Sequence, residues 1–94
     1  MSLYILSYQI APKQLQRITM PLDAEILSVG VHDGHPYIYA LADPSRQQED
    51  RLIYSFATTD EISHPVPISK LIFIGTYSIE GATTEFHIFE NPLN

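Results

Sequence analysis

An Asp33-Gly34 pair stands between two alternating apolar runs, Glu25 to His32 and His35 to Leu41. A two-residue β-hairpin turn of type I′ needs φ > 0 at both central positions, which Asp tolerates and Gly adopts without steric cost. The chain is therefore expected to fold as antiparallel sheet. Period-two alternation rich in Tyr, Ile, Val and Phe marks further strands near residues 3–9, 15–20, 25–32, 36–42, 51–58, 70–79 and 84–90. The prolines fall between these runs or at their first residues, where a missing N–H harms a ladder least. Glu80-Gly81-Ala82 reads as the turn of a second hairpin. About seven short strands in 94 residues leave room for no long helix, so the expected fold is all-β: one small antiparallel sandwich or partly open barrel spanning residues 1–94.

Two connections are longer. Asp43 to Asp50 is polar and expected to be mobile, whereas Thr59 to Ser69 contains His64-Pro65-Val66-Pro67 and is expected to be extended and stiff. A one-turn helix is read around Asp60-Glu61-Ile62, with Thr59 as its N-cap.

Composition limits the function classes. The absence of cysteine removes disulfides, thiolate zinc sites and cysteine nucleophiles. No apolar run approaches the roughly 18 residues of a membrane span, and no basic segment resembling a secretory leader precedes Lys13. Eleven carboxylates against five basic side chains leave a net charge of −6, which repels phosphates and argues against general nucleic-acid binding.

In Leu3-Tyr4-Ile5-Leu6 and Leu71-Ile72-Phe73-Ile74 both faces of one strand are apolar, whereas a strand with one wet face alternates. A chain this short buries only about two thirds of its unfolded surface. Cover from a second copy, and hence a homo-oligomer, is the expectation.

No cluster declares a reaction. His32 and His35 with Asp33 resemble a metal clip, but in a two-residue hairpin they are most simply a cross-strand pair, and no metal or other cofactor is expected. His87 is read either as a hydrogen-bonded structural residue or as a ligand contact. Glu49-Asp50 and Asp60-Glu61 read as solvated loop acids. The one ligand chemistry available combines the aromatic faces of Tyr37 and Tyr39 with the cations Arg46, Arg51 and Lys70, which suit a ring and a phosphate or carboxylate. Tyr and Arg equally suit a protein partner.

Several strings carry a resemblance: Ala24-Glu25-Ile26-Leu27-Ser28-Val29, Gly34 with Pro36, Tyr39-Ala40-Leu41 with Asp43-Pro44, His64-Pro65-Val66-Pro67, Phe73-Ile74-Gly75-Thr76 and Phe86-His87-Ile88-Phe89-Glu90. Their order over residues 15–90 resembles a small family of uncharacterised phage and prophage proteins. The chain departs from it near Tyr39, where the family often has tryptophan, and at Thr58-Thr59-Asp60, where it tends to carry glycine. The resemblance implies an accessory phage-type product in the host bacterial cytoplasm, with no membrane role. The expected function is non-catalytic: a homo-oligomer that counters bacterial defence by sequestering a small anionic, nucleotide-like signal. Arg46, Arg51 and Lys70 would meet phosphates, and Tyr37, Tyr39, His64 and His87 would contact the rest. The alternatives are an acidic nucleic-acid mimic that inhibits a host nuclease or interference complex, and a minor virion or assembly component.

Overall fold

The computed structural model describes residues 2–63 and 65–92. Among these residues seven strands form: β1 (Tyr4–Gln9), β2 (Leu15–Pro21), β3 (Glu25–His32), β4 (His35–Ala42), β5 (Gln48–Ala57), β6 (Ile72–Ser78) and β7 (Glu85–Asn91). They make two open antiparallel sheets, a three-stranded one in the order β1-β4-β3 and a four-stranded one in the order β2-β5-β7-β6. The all-β expectation holds, as a sandwich of two sheets.

The β3–β4 hairpin forms as its turn chemistry demands. His32 pairs with His35, and the two residues between them both have positive φ, 51° at Asp33 and 78° at Gly34. Register then sorts the side chains. On β4, Ile38, Ala40 and Ala42 face the opposite sheet and are buried, while Tyr37, Tyr39 and Leu41 face outward and are half-buried. From the four-stranded sheet Ile18, Met20, Ile53 and Ile88 meet them, and Leu6, Tyr8, Ile26 and Val29 close the margins. Fully burying each large aliphatic side chain contributes about 1.5–3 kcal/mol. Burial also pushes the Tyr8 and Tyr77 phenols above their ordinary pKa.

The sheets come closest where β3 meets β6. A Cβ on Gly75 would lie 2.7 Å from Val29 Cγ1, so only glycine lets the strands approach this far. Each strand is irregular there, with register shifts between Ile26 and Ser28 and between Phe73 and Gly75.

Segment 58–71 does more than connect. Ala57 pairs with Phe86 at one end of β7 and Ile72 with Glu90 at the other, so β5 and β6 run parallel and the chain between them must travel the length of the sheet. Gln14 anchors the crossing: its Oε1 accepts from the Ser63 N–H and hydroxyl at 2.9 and 2.8 Å, and its Nε2 donates to the Glu61 carbonyl at 2.8 Å. On the outer face of this sheet Tyr54 and Phe56 are 5% and 8% exposed, and Tyr54, Phe56, Phe89 and Phe73 contact in series at ring separations of 5.3 to 6.0 Å.

Two local expectations are corrected. Residues 60–62 are not helical: Thr59 has φ 72°, incompatible with an N-cap, and the Asp60 N–H closes a turn onto the Ala57 carbonyl. Among the described residues the single helical turn is instead a 3₁₀ turn at Ile68–Lys70, where the Lys70 N–H bonds the Pro67 carbonyl at 2.7 Å. The segment 43–50 is not one mobile loop, because Gln48, Glu49 and Asp50 pair with Pro21, Met20 and Thr19 as the start of β5.

Candidate functional site

Two adjoining clefts of about 420 and 400 Å³ open at the end of the sandwich where β6 starts and β7 ends. They share Asp23, Ala24, Arg51, Ile72 and Glu90. The β2–β3 turn supplies Asp23, held at φ 64°, a conformation that Asp adopts more readily than most residues. The first residues of β5 supply Glu49, Asp50 and Arg51, and Glu25 adds a further carboxylate.

Arg51 is spent within the fold. It donates to both Glu90 carboxylate oxygens, from Nε at 2.5 Å and Nη2 at 3.0 Å, and from Nη1 to the Ala24 carbonyl at 2.8 Å. The bonds to Glu90 hold its pKa above the ordinary guanidinium value despite partial burial. Breaking so enclosed a pair would cost about 3–5 kcal/mol, because one charge would stay buried without a partner. This pair ties β5 to β7 and, through Ala24, to the turn that enters the other sheet.

The remaining carboxylates lie closer to solvent. Asp23 pairs with Arg46 at 2.8 Å, Asp50 accepts from the Thr19 hydroxyl at 2.7 Å, and Glu49 accepts from the Asp23 N–H at 3.2 Å. Five carboxylates thus surround a cleft that two guanidinium groups only partly neutralise. Exposed Leu27, Ile72 and Phe73 form apolar lips. The Asn91 side-chain oxygen, on the cleft wall, is buried with no hydrogen-bond partner among the described residues.

The residues singled out in the sequence are spread over several surfaces. Arg51 lies in the cleft, Arg46 is paired at its rim through Asp23, and Lys70 is exposed in the 3₁₀ turn two residues before Ile72. Tyr37 and Tyr39 stand on the outer face of the three-stranded sheet, where with Ser7 and His32 they line a shallow hollow of about 340 Å³. His87 sits on the outer face of the other sheet, with Nε2 2.7 Å from the Thr58 hydroxyl and Nδ1 3.0 Å from that of Thr76. Both ring nitrogens are thereby engaged. His64 lies outside the described residues. The arginines and the tyrosines are not brought together.

The cleft carboxylates were hidden in the sequence because Glu49 and Asp50 looked like loop acids. Pairing of β2 with β5 brings them beside the Asp23 turn. The usable signal was Pro21-Leu22-Asp23, a turn whose acid must fall close to whatever strand pairs with β2. Among the described residues no three His, Asp or Glu side chains are grouped to hold a metal ion, and no helix is long and apolar enough to cross a membrane.

Fold and cleft define a small antiparallel β-sandwich with an acidic, apolar-lipped opening at one end. A family described as a domain of unknown function (DUF7352) matches residues 1–94, and the chain belongs to it. No curated protein and no solved structure matches the chain.

Proposed function

We propose that this protein is a non-catalytic binding module whose acidic cleft receives a basic segment of a partner protein. The observation that carries this reading is the excess of carboxylates around Arg51, framed by Leu27, Ile72 and Phe73. A Lys or Arg side chain brings a cationic head for the acids and an aliphatic stem for the lips. The net charge of −6 would speed encounter with a basic partner at low salt. In the phage-type setting that the sequence resembles, such a partner is a host nuclease or interference effector in the bacterial cytoplasm, whose basic residues the cleft would engage by mimicking the charge of nucleic acid.

Sequestration of a nucleotide-like signal has less support. It needs convergent free cations, and Arg51 and Arg46 are already held by Glu90 and Asp23.

Titration of fluorescent Lys- and Arg-bearing peptides tests the proposal. Binding should weaken as salt rises and be lost in the Glu25→Lys/Asp50→Lys double variant, whose positions are solvent-exposed. Binding indifferent to both salt and these substitutions would overturn it. Melting with cyclic dinucleotides runs in parallel, and a large stabilisation there would favour sequestration instead.

A further inference from the structure

The four sheet edges are not protected alike. Edges β3 and β6 face one another across the sandwich, and each is broken by a register shift. Edge β2 exposes Arg17 and ends in Pro21. Charge, proline and bulges are the usual devices that keep an open strand from pairing with a stranger. Edge β1 has none of them. Its register with β4 runs unbroken from Tyr4 to Gln9, and residues 2–11 contain no charged side chain and no proline.

The start of the same strand is uncovered on both faces. Tyr4 faces the side of buried Ala42 yet is 54% exposed, and Ile5, on the opposite face beside Leu41, is 65% exposed. Leu3 before them is exposed as well. No described strand pairs with the free side of β1. A net charge of −6 makes most of this surface repel its own copy, so contact between like chains is least opposed where charge is missing.

We infer that β1 is a self-association edge: two copies pair antiparallel along β1, joining their three-stranded sheets into one continuous sheet and laying the exposed Leu3, Tyr4 and Ile5 side chains of each copy beside the far end of the other copy's β1. Such a pair is isologous and closes on itself, since each free edge is used once. The inference is independent of the cleft, which lies at the start of β6 and the end of β7.

Light scattering on the purified chain, with no partner added, tests it. The expected mass is twice the 10.7 kDa of one chain, falling to a single chain in Ile5→Lys, which puts a charge into the apolar end of each paired strand. Ser7→Lys, at an exposed position on the same face of β1, is made in parallel and should act alike, so the test does not hang on one variant folding. Ile68→Lys, exposed in the 3₁₀ turn, should stay dimeric. Hydrogen exchange along residues 4–9 should be slow in the dimer and faster in the β1 variants. A single-chain mass up to millimolar concentration, or a dimer unaffected by both β1 substitutions, would overturn the inference.

Discussion

On the outer face of the four-stranded sheet Tyr54 and Phe56 are almost wholly enclosed, whereas on the outer face of the three-stranded sheet Tyr37 and Tyr39 are half-buried and Ile5 is open. The side chains are of the same kind, so composition does not explain the contrast. Connectivity does. The other strand-to-strand links are two to six residues long and stay at the ends of the sandwich, but β5 and β6 are parallel and need the fourteen residues 58–71 to cross a face. One sheet thereby acquires a third layer from its own chain, and the other does not.

The sharpest way to break this comparison is to truncate one aromatic on each outer face. Phe56→Ala should cost about 3–5 kcal/mol in urea unfolding, the range for a buried aromatic. Tyr39→Ala should cost about 1 kcal/mol, since much of its ring stays in water. Equal costs would mean that segment 58–71 does not seal its face.

A finer comparison uses two glycines. At Gly75 a new Cβ would lie 2.7 Å from Val29, which is held between the sheets, so Gly75→Ala should cost about 1–3 kcal/mol and be partly rescued by Val29→Ala. At Gly30 the obstacle is Tyr39 Cε2 at 3.2 Å, on the open face, where the ring can swing outward. Gly30→Ala should stay within about 0.5 kcal/mol of neutral.

The smallest effect concerns the anchor. Gln14→Ala removes three exposed hydrogen bonds to Glu61 and Ser63 and should cost about 1 kcal/mol. Protease nicking within 58–71 should rise at the same time, with no change around the β3–β4 hairpin.

The hairpin was legible because its determinants are contiguous: Asp33 and Gly34 specify the turn, and alternation on either side specifies the register. Cover was not legible in the same way. Two-sided apolar runs at Leu3–Leu6 and Leu71–Ile74 signal that a strand needs shelter, yet within one chain Tyr4, Ile5, Ile72 and Phe73 are exposed, and the strand enclosed on both sides is β5. Local pattern states the need, and only topology states the source. The cleft was harder still. Arg51 and Glu90 are 39 residues apart in sequence, and nothing near Arg51 announces that a carboxylate will arrive from β7 to claim its guanidinium. The misplaced helical turn has a simpler cause: Thr59 suits an N-cap by residue type, but the chain must reverse after Ala57 to begin its crossing, and it does so through a left-handed Thr59.

The position of β7, last of the strands yet flanked by β5 and β6, governs how the molecule can be made. On a ribosome extending the chain by roughly 5–20 residues each second, β6 emerges with no neighbour to zip onto and the crossing has no finished surface to settle on. Until β7 slots between them, β6 and the crossing stay unlatched, which makes the interval between the emergence of β6 and that of β7 the period when the domain most needs a chaperone.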